Sequence, residues 1–345
     1  MRRRHGVAWT ASCAIALCLM SGATAARADL FVAAPYTPLP HPMSVNRYDE
    51  NTGAYLESIP VAGEVSLGVA VGPDHQLYST GDDLGLGGVW RATGPHPSFV
   101  VDSAPVGGMA NHGYASPEGI TFGPDGNMYV ASNFNPPWPG SVSGVLEYAT
   151  DGTYLGQVAS VPAPGFFVYD LTFGPSGDLF FSAGPTVKRA NRATHAVSDF
   201  VAAGSGGLGA PFGVTFGPDG NLYVADSAGN DVLRYDGTTG APLGTFVASG
   251  IGGLNHPLDL EFGPDHNLYV LGAAARNNSV LRYNGTTGAF MDAFVPPTGI
   301  GEVGPSSEFL TFGSIPEPGV FVMSSAAIVM VVSSRRYRGA GAGRA

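Results

Sequence analysis

Four carboxylates in this chain, Glu118, Asp170, Asp259 and Glu308, stand at the openings of near-identical phrases. Brought together, they would hold Ca²⁺ or another divalent cation through oxygen ligands; the competing use of each is to accept hydrogen bonds from backbone N–H groups or water. A second group is aromatic. Phe134 and Trp138, in the insert NFNPPW (133–138), could join Tyr114 in stacking on a sugar ring, or pack their own loop. His112 and His256 are available as general bases. Both cysteines, Cys13 and Cys18, lie in the first 28 residues, so the rest of the chain has no thiolate nucleophile, disulfide or Cys-ligated metal. Nucleophile-elbow, phosphate-loop, HExxH and EF-hand patterns are absent, and no residue is assigned as catalytic.

What must position these residues is a repeat. The phrase GVAVGPDHQLY (68–78) recurs as GITFGPDGNMY (119–129), DLTFGPSGDLF (170–180), GVTFGPDGNLY (213–223), DLEFGPDHNLY (259–269) and the truncated FLTFG (309–313). Its central glycine falls at 72, 123, 174, 217, 263 and 313, with steps of 51, 51, 43, 46 and 50 residues that suit propeller blades. Each phrase reads as strand, turn, strand, because Pro presets φ in the turn and Asp or Ser followed by Gly completes it. Second hairpins follow, as in VLRY (232–235), DGTTG (236–240) and LGTFV (243–247), which makes four strands per blade.

The chain ends set the count. DLFVA (29–33) matches NLYVA (221–225), a second strand without its first, and the orphan strand at 309–312 supplies the missing piece. The expectation is an all-β, six-bladed β-propeller over residues 29–313, closed by pairing of the C-terminal strand with the N-terminal blade. Regular turns then occupy one face and long irregular connections the other, which is where binding usually resides.

These phrases resemble NHL-type repeats and, more distantly, the gluconolactonase and senescence-marker family of six-bladed propellers. That resemblance implies a channel-mouth site with a metal-binding Glu, an Asn before Gly, and an Asp base. Here the matching positions are Phe212-Gly213 and Leu258-Asp259, so only the acidic part is retained. A streptogramin-lyase-like propeller would instead want a His general base near the channel.

The termini suggest an address. Three arginines, an apolar run and Ala26-Arg27-Ala28 read as a signal peptide (1–28), cut before Asp29. Pro316, Glu317 and Pro318, an apolar stretch and the cluster Arg335, Arg336 and Arg338 resemble the PEP-CTERM sorting signal of Gram-negative bacteria over 314–345. This implies processing by an exosortase-type membrane enzyme, transient membrane association, and an address in the cell envelope or a biofilm matrix. Residues 29–315 hold 8 Lys and Arg against 26 Asp and Glu, a net charge of −18, which makes nucleic acid a poor partner. The expectation is a monomeric, non-catalytic module for a polysaccharide or protein ligand, needing no cofactor beyond a possible channel cation. The alternative is a metal-dependent lactonase-like hydrolase or a streptogramin-lyase-like enzyme.

Overall fold

A computed structural model describes residues 28–34, 44–61, 65–83, 86–92, 98–102, 114–135, 143–161, 167–274, 277–296 and 309–315. Among them are six four-stranded antiparallel sheets, arranged as the blades of a β-propeller. The inner strands are Val65–Val71, Tyr114–Phe122, Val168–Phe173, Pro211–Phe216, Pro257–Phe262 and, for the first blade, Leu310–Gly313. No helix among the described residues is long and apolar enough to cross a membrane. The sorting-signal residues Pro316, Glu317, Pro318, Arg335, Arg336 and Arg338, and Ala26 of the cleavage motif, lie outside the described residues. Ala28 is described, and its N–H donates to Glu50 Oε2 at 3.0 Å.

Closure follows the sequence expectation. Leu310–Gly313 pairs antiparallel with Asp29–Ala34 in the register Asp29↔Gly313 to Val32↔Leu310, and Ala33 N–H adds a bond to Phe309 O at 3.0 Å. The first blade is therefore built from both ends of the chain, in the order Leu310–Gly313, Asp29–Ala34, Ser44–Tyr48, Tyr55–Pro60. Its outer end is pinned by a buried ion pair, Asp29 Oδ2 with Arg47 Nε at 2.7 Å, and Arg47 also reaches Glu57 at 2.9 Å.

The repeated phrase specifies the inter-blade contact. On five of the six second strands an aromatic residue meets the Phe that ends the next blade's inner strand, edge to face, and at the sixth junction that place is taken by Val71. The pairs are Tyr78–Phe122, Tyr129–Phe173, Phe180–Phe216, Tyr223–Phe262 and Tyr269–Phe312, with centroids 4.8–5.1 Å apart. The last of these carries the packing across the ring closure. Glycine in the phrase is dictated by this stack: a Cβ at Gly217 would lie 2.6 Å from the Tyr223 ring and 3.1 Å from that of Phe262.

The turn at the end of the phrase is tied to the same aromatic. Tyr78, Tyr129, Tyr223 and Tyr269 donate their hydroxyls to Asp74, Asp125, Asp219 and Asp265 at 2.8–3.1 Å. In the fourth blade the turn residue is Ser176 and the aromatic is Phe180, so donor and acceptor disappear together. The third blade carries a different exception: Glu147 pairs across from Tyr129 where the other blades place Arg47, Arg91, Arg189, Arg234 and Arg282. Arg192 of the next blade supplies a cation instead, reaching Asp125 at 2.9 Å.

Two outcomes follow. Deleting 309–313 exposes the edge of Asp29–Ala34 and leaves Tyr269 without Phe312, so the melting temperature falls and limited proteolysis cuts first within residues 29–60. An unchanged melting curve and cleavage pattern would disprove closure by this strand. Installing the missing turn bond with Ser176→Asp and Phe180→Tyr together stabilises by about 1 kcal/mol more than the two single changes sum to. A double-mutant cycle in urea measures that coupling, and strict additivity would show that the bond does not form.

Candidate functional site

An inner strand is the edge of its sheet, so its channel-side N–H and C=O groups have no ladder partner and must be satisfied by something else. The neighbouring blade provides it. Asp170 Oδ2 accepts from Val214 N–H at 2.8 Å, Asp259 Oδ2 from Leu310 N–H at 2.8 Å, and Glu261 Oε2 from Phe312 N–H at 3.0 Å. Hydroxyls do the same one strand back: Ser182 Oγ accepts from Asp170 N–H at 3.2 Å and donates to Phe212 O at 2.6 Å. Thr80 repeats this bridge between Gly68 and Glu118. Between the third and fourth blades the Asn133 amide clasps both the N–H and the C=O of Val168, at 2.8 and 2.9 Å.

The strands enclose an axial cavity of about 260 Å³. Its wall has two levels set by strand alternation. Asp170 and Asp259 belong to the level that Gly119 and Gly213 occupy in neighbouring blades, and Thr121, Thr172, Thr215, Glu261 and Thr311 to the next level down. Glycine at the first level lets the strands approach closely: a Cβ on Gly213 would sit 2.7 Å from Asp259 Cα. Asp170 and Asp259 are brought together as their sequence positions suggest.

Burial raises the pKa of all three acids, and the Asp170 charge raises Asp259 and Glu261 further. N–H groups of Val214, Leu310 and Phe312 pull the other way but do not offset it. Glu261 is pushed up to about 8, and the coupled pair Asp170 and Asp259 also sits above the usual carboxylate range. The cavity acids are therefore held toward their neutral forms relative to ordinary carboxyls. No described Lys, Arg or His lines the cavity, and among the described residues no three His, Cys, Asp or Glu side chains form a metal-ligating group.

Above the cavity, on the face of the irregular connections, an aromatic ledge spans the fourth and fifth blades. Tyr169 and Phe212 stack with centroids 4.0 Å apart and planes 22° apart, and the exposed Phe167 lies 6.1 Å from Tyr169. The same face carries Asp226, fully buried, whose carboxylate ties down Gly209 and Ala210 N–H at 2.9 and 2.7 Å. Beside it, Asp231 Oδ1 is buried without a hydrogen-bond partner, and burial followed by the Asp226 charge raises its pKa.

Other expected residues are placed differently. Glu118 stands one residue before the level of Asp170 and Asp259, half-buried, accepting from Ser116 Oγ at 3.3 Å, and is not on the cavity wall. Glu308, His112 and Trp138 lie outside the described residues; Tyr114 and Phe134 sit on paired strands of the third blade, Tyr114 opposite Asn135 and Phe134 opposite Ala115. His256 is exposed, with its N–H bound to Asn230 Oδ1 at 2.8 Å, away from the cavity wall. Sequence reasoning missed Glu261 and the Tyr169–Phe212 stack. Aligning the repeats by letter exposes the first, since Glu261 occupies the place of Thr121, Thr172, Thr215 and Thr311.

No protein-family model matches this sequence, and neither does any curated protein. Solved structures are similar in fold. A chain of the nidogen/laminin complex superposes with TM-score 0.61 at 17% identity, over 83% of this chain and 98% of that one. A putative gluconolactonase gives 0.53 at 13% identity, over 75% and 91%. A catalytically inactive virginiamycin B lyase from Staphylococcus aureus, bound to quinupristin, gives 0.52 at 16% identity, over 78% and 85%. At these identities the similarity is one of fold.

A carboxyl whose folded pKa exceeds its unfolded value stabilises fully below the unfolded value, about pH 4, and loses that contribution as pH rises through the folded one. Glu261→Gln is therefore expected to flatten the decline in melting temperature between about pH 5 and pH 9, with the largest gain over the parent at the alkaline end. Parallel pH profiles for parent and variant would show that Glu261 is already ionised in the folded protein.

Proposed function

We propose that this protein is an exported propeller that binds a polysaccharide or protein ligand without catalysis, at the cell envelope or in the extracellular matrix. The observation that carries the reading is the use of the channel acids. Asp170, Asp259 and Glu261 each spend an oxygen on a backbone N–H of the next blade, a structural task that holds the ring together. Where the lactonase resemblance calls for an Asn ligand, Phe212 instead stacks on Tyr169. Long connections on one face leave room for a partner, while short stitched turns occupy the other. The nidogen/laminin complex gives a precedent for this fold in a protein assembly.

Export rests on the signal-peptide pattern ending at Ala28 and on the PEP-CTERM-like tail with its Arg cluster, which would be handled by an exosortase-type enzyme. N-terminal sequencing of the protein recovered from its native host should begin at Asp29. Recovery with residues 1–28 intact would remove the export reading.

A second reading is favoured by one feature. Asp170 and Asp259 are paired, buried acids with raised pKa in a concave site, a common setting for acid–base or metal-assisted chemistry. Under it the protein is a lactonase-like hydrolase or a lyase, with Asp170 and Asp259 as its acids and any Ca²⁺ or other divalent cation needing a further ligand beyond this pair. Lactone hydrolysis assayed with added Ca²⁺, Mn²⁺ or Zn²⁺ separates the two readings. The binding reading expects no turnover above buffer; metal-dependent turnover that Asp259→Asn abolishes would replace it with the enzymatic one.

A further inference from the structure

The channel mouth has a shape and a chemistry that narrow the ligand, given the reading of the irregular face as a binding surface on which this inference rests. At about 260 Å³ the cavity is slightly smaller than the roughly 300–1,000 Å³ of sites that enclose a whole small molecule. It has room for a single ring entering from the mouth, and not for a chain laid across it. At the end where the fourth and fifth inner strands begin, next to its wall, stands the apolar ledge of Phe167, Tyr169 and Phe212, and the polar part of the wall is threonine hydroxyls and carboxyls. A sugar ring has both matching parts: a C–H face that packs on aromatic rings and hydroxyls that hydrogen-bond to acceptors. With no described Lys, Arg or His on the wall, a uronate, phosphate or sulfate would give up its water there without gaining a cation to pair with.

We propose that the mouth of the channel receives one uncharged sugar ring at the end of a glycan, packed on the Phe167–Tyr169–Phe212 ledge with its hydroxyls turned to Asp170 and Asp259. The protein then reads glycan ends, and a wall without cations is its filter against anionic sugars. Phe212 is the discriminating position. It immediately precedes Gly213, where a Cβ would meet Asp259 Cα, and Val214, whose N–H is held by Asp170 Oδ2, and its ring stacks on Tyr169.

The test uses the mature chain on an array of gluco-, galacto- and manno-configured oligosaccharides printed beside their uronic-acid counterparts, each attached through its reducing end. At least one neutral glycan is expected to bind, its uronate counterpart at least about tenfold more weakly, and Phe212→Leu to weaken the neutral signal by a similar factor. Phe212→Leu keeps the position apolar and removes the ring, and its melting temperature is compared with the parent to separate lost binding from lost stability. If the variant is less stable, Tyr169→Leu provides the same comparison. Equal binding of neutral and uronic glycans overturns the inference. So does neutral binding that survives Phe212→Leu but is lost in Trp138→Ala, an outcome that leaves the irregular face as the binding surface. Silence across the array also overturns it, and leaves the broader binding proposal resting on a protein ligand.

Discussion

Six sheets arranged around an axis must solve one problem: each innermost strand turns an unpaired edge toward its neighbour in a confined channel where water is scarce. An unsatisfied buried N–H costs on the order of 1–3 kcal/mol, and the inner strands present several. This chain meets the demand with side chains from the preceding blade. The carboxylates of Asp170, Asp259 and Glu261 and the hydroxyls of Ser182 and Thr80 all bridge to the next inner strand. Where the chain has no such side chain it uses glycine, and Gly119 or Gly213 lets the strands come within contact distance.

That solution has an electrostatic consequence. Carboxyls placed to accept backbone hydrogen bonds are drawn together as the ring closes, with no described cation on the cavity wall to neutralise them. Burial, and for Asp259 and Glu261 the Asp170 charge as well, then favour the protonated forms, even though each accepted N–H bond favours the ionised one. The paired outer ions are the reverse case. Asp178 and Asp125 are held below their ordinary range despite burial, first by backbone N–H groups of Arg192 and Asn127 and then by the side chains of Arg189 and, for Asp125, Tyr129 and Arg192. Acids beside N–H groups and cations are thus favoured as carboxylates, while those gathered on the axis are favoured as neutral acids.

The ring was legible because its signals are periodic. A phrase occurring five times whole and once in part, with its two halves at opposite ends, leaves little freedom in how the sheets close. Site geometry was less legible because it depends on strand parity through an irregular stretch. Glu118 and Asp170 look equivalent as acids opening a repeat, yet in the aligned phrases Glu118 corresponds to Tyr169 and Gly119 to Asp170. A one-residue offset on a strand moves a side chain to the other face, and register shifts between Pro117 and Ile120 and between Val168 and Leu171 compound it. Glu261 was hidden for the opposite reason, being the one acid in a column otherwise read as threonine and alanine filler. The Tyr169–Phe212 stack joins neighbouring blades, and no periodicity within one repeat reports a contact between two.

Why one face and not the other should carry function follows from how the turns are held. On the regular face the turn between inner and second strand in the second, third, fifth and sixth blades is locked by its Asp side chain, which accepts both a nearby backbone N–H and the Tyr hydroxyl of the same hairpin. Altering such a turn to contact a partner would release the aromatic that packs between blades, so its sequence is bound to the fold. Among the described residues of the irregular face the ties are of another kind: Asp226 holds Gly209 and Ala210, and Asn230 holds His256. Neither tie involves an aromatic of the repeated phrase, so these connections can change without loosening that stack, and the aromatic ledge stands where this face meets the rigid axis.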